Sequence, residues 1–293
     1  MLRALLRNSC LLAPVTALTF VRSGPALAAP LLGSDLANFA VLGASTVTNT
    51  GATTIDGDVG VSPGGAITGS GSISITGTYH AGNDPVAVSG QNELLTAITN
   101  LSGLGPGTLE PVDLAGLTLV PGVYWVPAGV SNLTGTLTLD GQGNANAAWV
   151  FLMPSTLITS PGAVVNVINT GSGAGIYWDV GSSATIDSTT SFEGNILASA
   201  SITLVHAATI DCGRALAETG AVTMDDNTID AGTCLDTTGQ GSDGYSGGLA
   251  VTGSQVTFLP FSEVPEPGSL PLLIGAVSLL ACAARRARPA LRD

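Results

Sequence analysis

The stretch from Ile176 to Thr233 reads IYWDVGSSATIDSTTSFEGNILASASITLVHAATIDCGRALAETGAVTMDDNTIDAGT. Three segments within it superimpose: Ser183-Ala184-Thr185-Ile186, Ser201-Ile202-Thr203-Leu204 and Ala221-Val222-Thr223-Met224, at steps of 18 and then 20 residues. A second set follows in the same order, Ser191-Phe192, Thr209-Ile210 and Thr228-Ile229. A third set, Asn195 to Ala198 and Arg214 to Ala217, closes each turn. Three short strand-like pieces in a repeat of about twenty residues are the signature of a β-solenoid, whose coils bury their apolar faces only by stacking on one another.

Alternation sorts the side chains. In Ala221-Val222-Thr223-Met224 the apolar Val222 and Met224 point inward, so Ala221 and Thr223 point out. The same rule turns out Ser183, Thr185, Ser201 and Thr203, and by extension Thr156 and Thr136. Stacked coils set equivalent residues about 4.7–4.9 Å apart, which gives a flat lattice of Ser, Thr and Ala without charge in its two columns. The second face carries Ser191, Thr209 and Thr228, each followed two positions on by an acid (Glu193, Asp211, Asp230), whose carboxylates hold their own hydration. Outward threonine is also a common consequence of strand propensity, so periodicity by itself does not name a ligand.

Outside the repeat, residues 38–82 are rich in Gly and Thr and read as short strands with tight turns. Asn83 or Asp84 can then cap a helix that has Pro85 at its first position. Apolar Leu94, Ile98 and Leu101 follow at helical spacing, and Gly103 and Gly105-Pro106 stop the element. The spacing predicts a helix over about 85–102. Gly122-Val123-Tyr124-Trp125, Trp149-Val150-Phe151-Leu152 and Ile176-Tyr177-Trp178 read as equivalent steps that are apolar without alternation. Such strands are buried on both sides, and the helix is their natural cover.

Both chain ends read as processing signals. Residues 1–28 have Arg3 and Arg7, an apolar run and Ala26-Leu27-Ala28, the pattern of a secretory signal peptide cut by signal peptidase; a membrane anchor is the alternative. Residues 264–293 carry Pro265-Glu266-Pro267, an apolar span over 269–284, and Arg285, Arg286 and Arg288. This tripartite end resembles the PEP-CTERM sorting signal read by exosortases of Gram-negative bacteria. The resemblance implies export, transient anchoring in the inner membrane through the tail, cleavage near Pro265 to Pro267, and a final place at the cell surface or outside the cell. Between them, residues 29–236 form the solenoid domain and residues 237–263 a polar linker.

The whole sequence has 293 residues, a formal net charge of −13 and no lysine. Between Gly24 and Ala284 its only arginine is Arg214. Such a surface repels nucleic acid and anionic polysaccharide, which argues against nucleic-acid partners and against a solenoid polysaccharide lyase. Cys212 and Cys234 lie about one coil apart, so a disulfide clipping the last coil is expected in an oxidising compartment, with two free thiols as the alternative. No Cys/His cluster suggests a metal, and no cofactor is implied. Gly60-Val61-Ser62-Pro63-Gly64 matches a nucleophile-elbow pattern, but the elbow must enter a helix and here Pro63 and a glycine-rich strand follow. Asp56-Gly57-Asp58 lacks the further ligands of a calcium loop. His80 and His206 have no triad partners, and Arg214 reads as a structural donor to carbonyls or an ion pair. The chain does not read as an enzyme.

Residues Asn38 to Gly43, Ser45 to Gly51, Gly57 to Gly64 and His80-Ala81-Gly82 resemble the opening of the microbial ice-binding protein family. Pro121 to Tyr124, Phe192 to Ala198, Gly213 to Ala217 and Gly220 to Met224 resemble its later blocks. The similarity covers nearly all of 32–230 in order. It implies an all-β-dominated fold, a discontinuous right-handed β-solenoid of triangular section with one long helix alongside, acting as a monomer whose partner is the ice crystal surface. Carried over by position, the family's ice face matches Ser183, Thr185, Ser201, Thr203, Ala221 and Thr223, with Ser45 near the start. A cell-surface or matrix protein without ice activity is the alternative function.

Overall fold

The computed structural model describes residues 29–235 and 241–264. The expected signal peptide, the Pro265-Glu266-Pro267 motif and the apolar span 269–284 lie outside the described residues. Among the described residues no helix is long and apolar enough to cross a membrane.

Three ladders of parallel strands carry the fold. The first stacks Leu157–Ile158, Ala184–Ile186, Ile202–Leu204, Val222–Asp225, Thr46–Thr50 and Ala66–Thr68, in that spatial order. The second runs from Thr118–Leu119 through Thr136–Asn144, Val164–Thr170 and the first halves of Ser191–Ala198 and Thr209–Ala217. It continues to Thr228–Asp230, Thr53–Asp56 and Ile73–Ile75. The third contains Thr108–Leu109, Gly122–Trp125, Ala148–Met153, Gly175–Val180 and the second halves of the two long strands. Phe39–Gly43, Asp58–Val61 and Tyr79–Ala81 complete it.

The order along each ladder is not the order of the chain. The N-terminal coil (Phe39 to Val61) stacks on the coil that ends at Asp230, and Thr223 pairs with Thr48 across 175 residues. A chain that starts in the middle of the stack must travel to the far end before it can wind back. The helix makes that journey. It spans Pro85–Ser102; at 1.5 Å per residue its 18 residues cover about 27 Å. Five to six coil spacings amount to about 24–29 Å, so the helix begins beside Tyr79–Ala81 and ends beside Gly175–Val180 and Ala148–Met153. Asp84 caps it, its carboxylate accepting from the Val86 amide at 2.9 Å, with Pro85 in the first turn.

The central strands of the third ladder, Ala148–Met153 and Gly175–Val180, are buried on both sides. Trp149, Phe151 and Met153 point into the solenoid, while Val150 and Leu152 pack under the helix with Leu94, Ile98 and Leu101. In-register aromatic residues stack through the interior, Tyr124 on Phe151 (5.7 Å between centroids) and Phe151 on Trp178 (3.9 Å), and Phe192 of the second ladder meets Trp178 at a tilt (5.0 Å). Gly194 and Gly213 stack where the two long strands turn from the second ladder into the third, at φ 103° and 148°. A β-carbon on Gly213 would lie 2.0 Å from the Gly194 carbonyl oxygen, so only glycine permits this corner.

For residues 241–263 the expectation of a polar linker is corrected by the structure; residues 237–240 lie outside the described residues. Leu249–Thr252 and Gln255–Phe258 pair with each other, and Leu249–Thr252 also pairs with Ala29–Pro30. Tyr245 and Leu249 are buried. The Tyr177 hydroxyl reaches the Ser246 and Gly247 carbonyl oxygens at 2.5 and 2.8 Å. Small residues make this possible: a β-carbon on Gly175 would sit 1.9 Å from the Gly247 carbonyl oxygen. The segment is a cap held by backbone contact, which hydropathy does not report.

Arg214 ties these parts together. Its Nε and Nη2 donate to the Ala37 carbonyl (3.1 and 2.8 Å), Nη1 to Asn195 Oδ1 (2.9 Å) and the Gly244 carbonyl (3.0 Å), and Nη2 to the Ala231 carbonyl (3.2 Å). All five donors are used, joining the N-terminal segment, two coils and the cap. Burial lowers its pKa to about 10, so it stays charged at neutral pH.

Candidate functional site

The outward side of the first ladder is the most regular surface of the protein. No register shift interrupts its pairings, whereas the second and third ladders each carry irregularities, between Asp140 and Asn144, Phe192 and Glu193, and Phe39 and Val41. Two columns face out. One contains Thr185, Thr203, Thr223, Thr48 and Thr68 in direct register, with Ile158 ahead of Thr185. The other, one step before the paired residues, contains Thr156, Ser183, Ser201, Ala221, Thr46 and Ala66. Five threonines at strand spacing span about 19 Å. Their partners in the alternation, Ala184, Ile202, Val222 and Val47, are fully buried, which fixes the side on which each threonine stands.

The hydroxyls of the two columns differ. Ser183 Oγ accepts from the Ser201 amide at 3.3 Å, and Ser201 Oγ from the Ala221 amide at 3.2 Å. These serines knit one coil to the next. Among the described residues, the hydroxyls of Thr48, Thr68, Thr185, Thr203 and Thr223 make no hydrogen bond within the protein, and their donors and acceptors face solvent. Charge enters only at the margin, where Asp225 pairs in register with Thr50 and lies 3.4 Å from His206.

Two sequence-derived positions change. Thr136 does not belong to this surface: it pairs with Val164, which pairs with Ser191, so it stands in the second ladder. The coil that holds it differs in length from the later repeats, and counting along the chain carried it to the wrong face. Ser45 lies just outside the ladder, its amide donating to the Gly220 carbonyl at 3.0 Å. Thr46 takes the position next to Ala221, and Thr48 that next to Thr223. Thr46, Thr48 and Thr68 were missed, although Thr46-Val47-Thr48 repeats the alternation of Ala221-Val222-Thr223.

The second ladder presents Ser191, Thr209, Thr228, Thr54 and Ser74, but beside acids. Asp230 is in register with Asp56; the Asp56 carboxylate accepts from the Thr76 hydroxyl, and Asp211 from the Ser191 hydroxyl. The expected uniform acid column is broken, because Glu193 pairs with Cys212 and leaves Asp211 in a bulge. Cys212 is disulfide-bonded, while the side chain of Cys234 lies outside the described residues.

The enzyme-like motifs fall elsewhere. Ser62 is buried and precedes a strand, Ala66–Thr68, not a helix. His80 sits at the start of the helix, with Nδ1 3.1 Å from the Asp84 carboxylate and Nε2 2.8 Å from the Thr78 hydroxyl. Among the described residues no group of three or more His, Cys, Asp or Glu side chains is arranged to hold a metal.

The family described as Ice-binding-like matches residues 41–230, the span that contains all three ladders and the helix. The chain belongs to the ice-binding family. It is 43% identical over 228 residues to an ice-binding protein of Nostoc sp. (strain HG1), covering 78% of this chain and 83% of that one. An ice-binding protein of Flammulina populicola is 31% identical over 227 residues, covering 69% and 87%. Among solved structures, an ice-binding protein from an Antarctic biological consortium aligns with a TM-score of 0.64 at 40% identity, over 69% of this chain and 91% of that one. One from the Antarctic ascomycete Antarctomyces psychrotrophicus aligns at 0.62 and 36%, over 67% and 96%.

Proposed function

We propose that the protein adsorbs to ice through the outward side of its first ladder and thereby restrains ice growth and recrystallisation. One observation carries this reading: a bulge-free, uncharged threonine lattice whose hydroxyls have no partner in the protein, in a member of the ice-binding family. Thr185, Thr203, Thr223, Thr48 and Thr68 form the centre of the contact. Thr156, Ser183, Ser201, Ala221 and Thr46 flank them. Methyls and free hydroxyls held at fixed spacing order the water above them, and that layer joins the crystal. Because the backbone is already rigid, little ordering entropy opposes the sum of many weak contacts.

The same reading takes the solenoid as right-handed and three-sided, and the chain as a monomer. It takes residues 1–28 as a signal peptide, Cys212 and Cys234 as the bridged pair, and residues 264–293 as a sorting tail cleaved near Pro265 to Pro267. Action outside the cell follows, on ice in the surrounding water. The test is ice-crystal shaping and recrystallisation inhibition by the purified chain over residues 29–264. Faceted crystals and inhibited recrystallisation are expected. Absence of both favours a structural role at the cell surface instead.

A further inference from the structure

A cleft of about 300 Å³ opens at the C-terminal end of the helix, between it and the third ladder. Ile98, Trp125 and Leu152 line it with apolar surface, and Ser102, Asp179 and Ser199 are its polar contributors. Asp179 is out of place there. In register with it on the neighbouring coils stand Leu152 and Leu197, followed by Leu216 and Leu42, a column of leucines under the helix. A fifth leucine would fill the position. Instead a carboxylate is held at 7% exposure.

Its partners do not satisfy it. The Ser102 hydroxyl lies 3.0 Å from Asp179 Oδ2 but also 2.9 Å from the Ile98 carbonyl oxygen, and its single proton serves one of them at a time. Oδ1 has no donor within the described protein. The charged group that acts on Asp179 is another acid, Glu218, beyond the end of Thr209–Ala217; the helix and the strand Ala148–Met153 bring no charge to it. The C-terminal end of the helix adds partial negative charge. The cationic side chains among the described residues are Arg214, whose five donors are committed, and His80 and His206, which meet Asp58, Asp84, Asp225 and Asp226. Nothing in the described protein neutralises the cleft. Burial, with Glu218 adding to it, pushes the Asp179 carboxyl up to about 6, so near neutral pH the group is mostly ionised and costly to keep so.

We propose that this cleft binds a small primary alkylammonium ion, whose ammonium group donates to Asp179 Oδ1 while its alkyl chain lies against Trp125, Leu152 and Ile98. The size suits a short chain, since the volume is at the lower end for ligand pockets. The missing donor is one that an ammonium supplies, and its charge, unlike a neutral alcohol's hydroxyl, meets that of the carboxylate. The site is separate from the threonine face and needs no ice.

The test is an NMR titration of the folded chain over residues 29–264 with n-pentylammonium chloride at pH 7.5, with 1-pentanol as the neutral control. Saturable shifts of the Gly181 and Ser199 amides are expected, with at least tenfold weaker binding of pentanol. Asp179→Asn should weaken the amine at least tenfold and leave pentanol unchanged. Equal binding of amine and alcohol, absence of saturable shifts, or full amine binding by Asp179→Asn overturns the proposal. Should that variant not fold, the titration midpoint of the Asp179 carboxyl carbon in the wild-type chain decides: a midpoint lowered by saturating amine supports the site, and an unmoved one overturns it.

Discussion

Thr203→Tyr places a phenol ring at the centre of the threonine lattice. Thr203 pairs with Thr185 on one side and Thr223 on the other. A flat crystal that meets the ring must tilt about it and touch the column on one side only. At best Thr223, Thr48 and Thr68 keep contact; tilted the other way, Thr185 alone does. Between two and four of the five threonines are lost, Thr203 included. At about 0.5–1 kcal/mol for each net hydrogen-bonding contact, losing three weakens adsorption by about 1.5–3 kcal/mol, or roughly ten- to a hundredfold. The fold itself should be unaffected, because an outward, half-exposed position usually changes stability by less than about 0.5 kcal/mol. Thermal hysteresis measured against concentration is the assay, with circular dichroism to verify the fold. Thr209→Tyr, outward on the second ladder, is the control and should retain full activity. If Thr203→Tyr retains full hysteresis, the first ladder is not the ice face; if Thr209→Tyr loses it, the second ladder is.

Asp179→Asn should stabilise the folded chain at neutral pH. The carboxyl is raised from 3.8 to about 6 by burial. Below about pH 4 it is protonated in both folded and unfolded states and costs nothing; as pH rises toward and past 6, stability falls by about 2–3 kcal/mol. The variant should lack that fall in chemical denaturation at pH 4 and 7, and an unchanged pH dependence contradicts the assignment. Arg214→Met leaves three backbone carbonyls and Asn195 Oδ1 buried without their donor. It should cost about 3–5 kcal/mol and lower Tm by roughly 6–20 °C; a loss under 2 °C refutes its role as the tie between segments. Cys212→Ser removes the disulfide and should destabilise by about 2–5 kcal/mol without changing hysteresis per folded molecule, because Cys212 is buried away from the first ladder. Loss of activity by a fully folded variant counts against that separation.

Much of the fold is legible along the chain because its signals are local. The cap at Asp84, the proline at position 85 and the apolar spacing of Leu94, Ile98 and Leu101 declare the helix within one 18-residue window. The equivalence of Gly122, Trp149 and Ile176, and of Ser183 with Ser201 and Ala221, is readable because adjacent coils are adjacent repeats, and the ladders keep that register. Alternation then sorts inside from outside wherever the strand is known. Thr136 shows the limit: a coil of different length moves a residue from one ladder to another while its local pattern stays the same.

What the sequence by itself determined, then, is the set of coils, the helix that covers them, and the uncharged threonine alternation at Thr185, Thr203 and Thr223. Only the tertiary structure decided how far that lattice extends and what closes the molecule. Thr48 joins Thr223 across 175 residues, a contact that no periodicity spans, because the chain enters the stack in its middle and returns along the helix. The cap from Gly241 to Phe258 is held by backbone approach at glycines, and the four segments that meet at Arg214 are distant in sequence. Both depend on backbone carbonyls and close packing, which every residue possesses and which side-chain pattern therefore cannot announce.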